Sequence, residues 1–224
     1  MSSISAYIDH TLLRPACTQS DIKKICEEAI QYKFAAACIP PSMLKQSKEW
    51  INGSAVKLAT VIGFPFGYSM PAVKFAETAQ AIHDGADELD IVINLIALKS
   101  GDWNYLEKEM DTIIQLTHAH SKKVKIIIES GILTNEEIVH CCLLYSKLGA
   151  DFLKTSTGYA EKGATVEAVR LMRENLPANI NIKASGGIKT YNFARQLIEA
   201  GASRIGCSAS VEIVKSELAH DLQN

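Results

Sequence analysis

The chain has 224 residues, a net charge of −2, and 47% hydrophobic and 21% charged residues, which is typical of a globular protein with a large core. This near-neutral charge argues against a general nucleic-acid-binding surface. The N-terminal MSSISAYIDH lacks a basic region followed by an apolar run, and no apolar run approaches the roughly 20 residues that span a bilayer. The cysteines form no CxxC pair, which favours free thiols in a reducing cytosol. We therefore expect a cytoplasmic protein without nucleic-acid or membrane partners.

Short apolar segments alternate along the chain with segments whose apolar residues have helical spacing. A capping-box-like Thr18–Asp21 begins the first helix, and Thr134 with Glu137 forms a clean capping box further on. Pro71 fits the first turn of another helix, where no amide donor is lost. The predicted strands are Ala6–Ile8, Phe34–Ile39, Val56–Ile62, Glu88–Asn94, Val124–Ile128, Phe152–Lys154, Ile180–Ala184 and Ser203–Cys207.

Each of the eight predicted strands is followed by a helix. Several strands are apolar throughout, as expected of parallel strands covered on both faces. A Gly-Ala joint recurs at Gly85, Gly149 and Gly201, where a glycine can end a helix in the left-handed conformation before the next strand. Eight βα units predict an α/β fold, a closed (β/α)8 TIM barrel of eight parallel strands. Without a Pro/Gly/Ser-rich linker or a shift in composition, we expect a single domain over residues 1–224.

Active sites of such barrels lie at the C-terminal ends of the strands. Metal binding is not indicated, because His118 and His120 do not share a helix face and the Cys141-Cys142 pair lacks a second cysteine pair for zinc. The candidate residues at the strand ends are Asp9, Cys38, Asp90, Glu129, Lys154, Lys183 and Gly206.

Two lysines at these strand ends suggest covalent chemistry. Lys154 and Lys183 lie on consecutive strands, so their ammonium groups are neighbours if both point inward, and each disfavours the charge of the other. A lysine that is partly neutral can attack a carbonyl and form a Schiff base, and Asp90 could offset the remaining charge and move protons. The residues alone leave two alternatives open. The lysines could be structural groups that extend to the barrel mouth, or one of them could bind phosphate.

Two glycine-bearing turns follow the last two strands. Ser185-Gly186-Gly187 follows strand 7, and Gly206-Cys207-Ser208 leads into the helix after strand 8. Loops at these positions frequently bind phosphate in barrels, because glycines allow close backbone approach and a helix N-terminus presents free N–H groups. Ordinary turn chemistry is the alternative interpretation.

Five sequence blocks together resemble the deoxyribose-phosphate aldolase family, in order and over nearly the whole chain. The blocks are IDHTLL at 8–13, VIGFP at 61–65 with Gly67, Lys74 and Glu77, GADELD at 85–90 with VIN at 92–94, KTSTG at 154–158 and KASGGI at 183–188.

This resemblance implies a class I aldolase that works without metal or cofactor. It would cleave 2-deoxy-D-ribose 5-phosphate reversibly to acetaldehyde and D-glyceraldehyde 3-phosphate, in deoxyribonucleoside catabolism. Lys154 would form the Schiff base. Lys183 would perturb Lys154, and Asp90 would relay protons. The family often forms dimers or larger assemblies, so a homo-oligomer is expected. The implied substrate-binding residues are Cys38, Thr157, Gly158, Gly186, Gly187, Gly206 and Ser208.

The chain also departs from the family pattern. Ile39-Pro40-Pro41 follows Cys38, where the family usually has an asparagine before the proline, and the tail 220–224 lacks the tyrosine that some members use in proton transfer. Two other functions stay open. One is another Schiff-base aldolase that acts on a different phosphorylated or keto-acid substrate. The other is a catalytically silent barrel that binds sugar phosphates as a sensor.

Overall fold

The computed structural model describes residues 3–221, with side chains described through Ala219. Eight parallel strands close into a barrel in sequence order, because β1 pairs with both β2 and β8. This arrangement confirms the predicted (β/α)8 fold. The strands are β1 (Ile8–Thr11), β2 (Ala36–Ile39), β3 (Lys57–Ile62), β4 (Glu88–Val92), β5 (Lys123–Ile127), β6 (Phe152–Lys154), β7 (Asn181–Ser185) and β8 (Arg204–Cys207).

Helices surround the barrel, and each strand is followed by at least one. Short 3-10 helices also occur at Ile4–Tyr7, Pro41–Met43 and Ser130–Ile132. None of the helices within residues 3–221 is long and apolar enough to cross a membrane. The α-helices are α1 (Gln19–Gln31), α2 (Leu44–Trp50), α3 (Pro71–His83), α4 (Leu95–Lys99), α5 (Trp103–Ala119), α6 (Asn135–Lys147), α7 (Val166–Asn175), α8 (Tyr191–Glu199) and α9 (Ser210–Asp221).

Hydroxyl side chains begin several of these helices as the sequence indicates. Thr18 and Thr134 each complete a capping box, with Asp21 and Glu137 as the reciprocal acceptors. Thr165 and Thr190 cap α7 and α8 with a single side-chain bond each. These local bonds satisfy helix N–H groups that have no partner within the helix, so the ends of these helices are set by the sequence nearby.

The prediction for the first strand was wrong at its start. Ala6 and Tyr7 belong to the 3-10 helix, and the strand runs from Ile8 to Thr11. A contact from the far end of the chain fixes this turn: Glu217 accepts a hydrogen bond from the Ile4 amide at 2.9 Å and another from the Ser3 hydroxyl at 2.8 Å. Because Glu217 lies on α9, no local pattern predicts this contact.

The inside of the barrel has an apolar part and a charged part. Four small or branched side chains of β2 and β3 pack together there, with Leu13 and Phe64 beside them. The inward positions of the other strands carry acids and bases. A second and much larger apolar core lies between the strands and the helices. The four side chains of the inner apolar cluster are Ala36, Cys38, Ala59 and Val61.

Candidate active site

Seven ionisable side chains inside the barrel are joined by ion pairs. The described part of the chain supplies three carboxylates and four cations to this cluster, which we call the barrel charge cluster. All are buried except Arg204, whose side chain is 15% exposed. The members are Asp9 on β1, Glu88 and Asp90 on β4, Lys125 on β5, Lys154 on β6, Lys183 on β7 and Arg204 on β8.

Asp90 is the centre of the cluster. Its Oδ2 atom accepts hydrogen bonds from the Nζ atoms of Lys154 and Lys183, both at 2.7 Å. Its Oδ1 atom accepts from Lys125 Nζ at 2.8 Å. Burial favours the protonated acid, but the three ammonium groups outweigh it and hold the pKa of Asp90 well below its usual range.

A second set of contacts lies beside Asp90. Lys183 Nζ lies 2.5 Å from Asp9 Oδ2, and Lys125 Nζ lies 2.6 Å from Glu88 Oε2. Arg204 joins the two acids, because its Nη1 atom is 2.6 Å from Asp9 Oδ1 and 3.0 Å from Glu88 Oε2. Each of these cations therefore contacts at least two carboxylates.

The two lysines of the sequence prediction are neighbours in register, since Lys154 on β6 is paired with Lys183 on β7. Burial lowers the pKa of Lys154, and the positive charge of Lys183 lowers it further against the attraction of Asp90. For Lys183, burial is outweighed by Asp9 and Asp90, so its pKa is raised. The expectation that proximity lowers the pKa of at least one lysine therefore agrees with the structure, and the lysine concerned is Lys154.

A cavity of about 520 Å³ opens at the C-terminal ends of the strands. Among the cluster lysines, Lys154 lines this cavity, whereas Lys125 and Lys183 are fully buried and are not part of its described lining. Among the lysines of the cluster, the one with the lowered pKa is thus also the one that lines the cavity.

The glycine-bearing turns form one end of the same cavity, as their position after the last strands predicts. Gly158, Gly186 and Gly187 have φ angles of 89°, 89° and 77°, in the left-handed region that glycine adopts without strain. A Cβ atom on Gly186, in the loop after β7, would lie 3.0 Å from the Cα atom of Gly163, in the loop after β6. The backbones of these two loops are therefore in contact. Gly206, Ser208, Arg14 and Lys189 also line this cavity.

The remaining predicted binding residues differ in access. Thr157 lines the cavity, and its hydroxyl and amide both donate to the Glu129 carboxylate. Cys38 is fully buried and is not part of the described lining, and burial raises the pKa of its thiol. The prediction about the C-terminal tail falls largely outside the described residues, which end at Asp221.

Sequence reasoning missed three members of the cluster. Lys125 lies in a strand that reads as nearly all apolar, and Glu88 and Arg204 lie at the starts of their strands rather than at the ends. A signal for Lys125 was available: it follows the inward alternation of β5, and it is paired in register with Asp90.

Comparison with known proteins agrees with this geometry. A sequence model described as "DeoC/LacD family aldolase" matches residues 3–216. A deoxyribose-phosphate aldolase of Thermococcus gammatolerans is 50% identical over 214 residues, which are 95% of each chain. A deoxyribose-phosphate aldolase of Streptococcus gordonii is 48% identical over 216 residues, 96% of this chain and 97% of that one.

Solved structures give the same result. One described as "QR15, an Aldolase" superposes with a TM-score of 0.93 at 37% identity and covers 99% of both chains. The deoxyribose phosphate aldolase of Aeropyrum pernix, described as having a unique tetrameric structure, has a TM-score of 0.91 at 31% identity and covers 97% of this chain and 92% of that one.

The barrel and these relatives define the class of the protein as an aldolase, a carbon–carbon lyase. Within that class, the chain belongs to the DeoC/LacD family.

Proposed function

We propose that the chain cleaves 2-deoxy-D-ribose 5-phosphate to acetaldehyde and D-glyceraldehyde 3-phosphate, reversibly and through a Schiff base on Lys154. The observation that carries this proposal is the combination found at Lys154: a lowered pKa and a position in the wall of an open cavity. A neutral amine in contact with substrate is what carbonyl attack requires.

The proposed mechanism uses three residues. The Lys154 amine attacks C1 of the open-chain sugar, and loss of water gives a protonated imine. That imine draws electrons from the C2–C3 bond as the C3 hydroxyl loses its proton, so glyceraldehyde 3-phosphate leaves and an enamine remains. Protonation at C2 and hydrolysis then release acetaldehyde. Asp90, 2.7 Å from Lys154 Nζ, relays protons in these steps, and Lys183 shares its carboxylate.

The phosphate is proposed to lie at the glycine-lined end of the cavity. Gly158, Gly186, Gly187, Gly206 and Ser208 line the cavity and can bring backbone N–H groups close to a phosphate. Arg14 and Lys189, which also line it, add positive charge.

The other sequence predictions remain part of this proposal. Thr157 would contact the substrate from the cavity wall. Cys38, which lies beside the lysines, would also be a substrate-binding residue. The whole chain, residues 1–224, would work as a single barrel domain in deoxyribonucleoside catabolism in the cytoplasm, without a metal or cofactor.

The experiment compares cleavage of 2-deoxy-D-ribose 5-phosphate with that of unphosphorylated 2-deoxy-D-ribose and of a phosphorylated keto-acid. We expect the phosphorylated deoxy sugar to have the highest kcat/KM. Preference for the keto-acid would favour a different Schiff-base aldolase. Binding of the sugar phosphate without turnover would favour the sensor.

We also propose that the protein is a homo-oligomer, as the Aeropyrum pernix relative is tetrameric. An apolar surface around the start of α3 supports a second copy as the partner. Phe66 and Tyr68 stack there with ring centroids 5.5 Å apart, and Met70, Val73 and nearby Ile96 are each more than half exposed. Exposed apolar side chains that lie together are typical of an interface.

Light scattering after size-exclusion chromatography tests the oligomer. We expect Met70→Glu to lower the mass towards that of a monomer, because it places a charge within the apolar surface. The matched control Thr112→Glu, on the exposed face of α5, should leave the mass unchanged. A monomeric wild-type protein would contradict the proposal.

A further inference from the structure

The starts of strands β4 and β8 carry an ion pair, between buried Glu88 and largely buried Arg204, that the proposed mechanism does not use. Arg204 binds Glu88 through two contacts, Nη1 to Oε2 at 3.0 Å and Nη2 to Oε1 at 3.2 Å. Neither residue contacts Lys154 directly. Both are nevertheless connected to it, because Arg204 contacts Asp9 and Glu88 contacts Lys125.

The barrel charge cluster has one more base than acid. Three carboxylates and four cations are joined by the ion pairs within the described residues, so the cluster carries one excess positive charge when every group is ionised. In a buried site an uncompensated charge is costly, which favours the loss of one proton.

The contacts show which base gives up that proton most readily. Lys125 contacts three carboxylates, and Lys183 and Arg204 contact two each. Lys154 contacts only Asp90 among the described carboxylates, and it shares the Oδ2 atom with Lys183. The protonated form of Lys154 is therefore stabilised by the fewest carboxylate contacts of the four cations, so Lys154 should lose its proton first.

We propose that Glu88 and Arg204 are positioning residues that set the charge balance of the cluster and thereby the pH at which Lys154 becomes a free amine. This inference rests on the proposed role of Lys154 as the nucleophile. It assigns a function in the reaction to a pair that does not line the described part of the substrate cavity.

Two other titratable groups lie around Lys154. The Cys38 thiol on β2 has a raised pKa because of its burial, so it is neutral. Glu129, after β5, accepts hydrogen bonds from Thr157 and interacts electrostatically with Lys154, but burial outweighs both effects and raises its pKa, which favours the neutral acid. The ring of Phe152, two residues before Lys154, faces Lys125 Nζ at 5.9 Å and Arg204 Cζ at 5.5 Å and adds no charge.

Variants that remove one charge each should shift the titration midpoint of Lys154 in opposite directions. Arg204→Met removes a cation, so a protonated Lys154 is better tolerated and its titration midpoint moves to higher pH. Glu88→Gln removes an anion at almost constant shape, so the midpoint moves to lower pH. Each shift should be on the order of one pH unit, because the removed charge acts on Lys154 through the protein interior rather than through bulk water.

Two further variants make the test specific. The double variant Glu88→Gln/Arg204→Met removes one charge of each sign, and its midpoint should return close to that of the wild type. Arg173→Met is the matched control: Arg173 is a half-buried arginine on α7 that donates to the carbonyl oxygens of Ile180, Leu176 and Pro177. Its removal should leave the Lys154 midpoint unchanged.

The experiment measures the rate at which acetic anhydride acetylates Lys154 as a function of pH, with peptide mass spectrometry as the readout. This reaction reports the free amine and does not require turnover. Midpoints that move in opposite directions in the two single variants, and return in the double variant, are expected. Single variants that move in the same direction, or not at all, would overturn the inference. If Arg204→Met fails to fold, Glu88→Gln alone decides, because only a downward shift agrees.

The proposed function is tested separately on the same wild-type sample. Failure to form a borohydride-stable adduct with acetaldehyde would contradict the role of Lys154 as nucleophile. If the adduct forms but the midpoints do not separate, the proposed function stands and only the role of Glu88 and Arg204 is overturned.

Discussion

Two buried lysines of this protein each contact a carboxylate and each have a lowered pKa, but they differ in the rest of their surroundings. Lys74 on α3 lies outside the barrel, where its Nζ atom donates to Glu109 at 2.8 Å and to the carbonyl oxygen of Val92 at 2.7 Å. Lys154 lies inside, 2.7 Å from Asp90. Burial lowers the pKa of both lysines.

The difference lies in access and in the sharing of the carboxylate. Lys74 is fully buried with a carboxylate partner of its own, and Glu109 also accepts from the Asn94 amide at 3.1 Å. Lys154 lines the cavity and competes with Lys125 and Lys183 for Asp90. A lowered pKa alone therefore does not distinguish the two lysines; of the two, only Lys154 lines the cavity and shares its carboxylate with two other lysines.

The largest expected effect comes from replacing the lysine that lines the cavity. Lys154→Met should lower kcat/KM for 2-deoxy-D-ribose 5-phosphate by about 10³-fold or more, because it removes the group that is proposed to form the covalent intermediate. Its free energy of unfolding should change little, since Asp90 keeps Lys125 and Lys183 as partners. The assay is steady-state kinetics together with urea unfolding. Activity close to wild type would contradict the assignment.

At the Lys74–Glu109 pair we expect the opposite result, a loss of stability without a loss of activity. Lys74→Met leaves Glu109 buried without its counter-charge, so the free energy of unfolding should fall by about 3–5 kcal/mol. The kcat of the protein that remains folded should stay close to wild type. Urea unfolding measures the loss, and the double variant Lys74→Met/Glu109→Leu should recover most of it. A stable Lys74→Met protein with impaired turnover would mean that the two lysines are not as different as the contacts indicate.

The dependence of activity on pH sharpens the comparison further. If the neutral amine of Lys154 is the nucleophile, as proposed, kcat/KM should fall as the pH drops through its pKa, by about tenfold per unit below it. The midpoint of that limb should lie below the 10.5 of an unperturbed lysine. A pH–rate profile between pH 5 and about 10 checks this. A limb at the unperturbed value would show that burial does not act on the reacting amine.

The smallest effect is expected where an equally short ion pair lies on the surface. Lys147 Nζ is 2.7 Å from Glu107 Oε1, and the Lys147 side chain is largely exposed. Exposed pairs contribute little to stability, because water screens them and ordering two long side chains costs entropy. Lys147→Ala should leave the urea midpoint unchanged within error. A marked loss would mean that distance alone decides the strength of an ion pair here.

The barrel and the pairing of Lys154 with Lys183 can be predicted from the sequence for physical reasons that are local. Capping threonines mark the helices between the strands, and consecutive parallel strands place the two lysines side by side. Asp90 on β4 is a strand-end candidate in the sequence, but its contacts with both lysines cross the barrel and depend on its closure. The start of β1 was misplaced because its turn is fixed by Glu217, from the other end of the chain.

The contact between Glu88 and Arg204 at the starts of their strands could not be predicted by the same reasoning. The rule that barrel chemistry lies at the C-terminal ends of strands directs attention away from Glu88 and Arg204, which begin their strands. Their roles depend on contacts across the barrel, such as that from Arg204 on β8 to Glu88 on β4. Such contacts depend on the closure and stagger of all eight strands, which no single segment encodes.

Borohydride trapping with acetaldehyde, followed by peptide mass spectrometry, tests the proposed role of Lys154 most directly. We expect one ethyl adduct on Lys154, with Lys74, Lys125 and Lys183 unmodified in the folded protein. An adduct on Lys183, or no adduct in folded protein at neutral pH, would contradict the claim that the cavity and the shared Asp90 carboxylate make Lys154 the nucleophile.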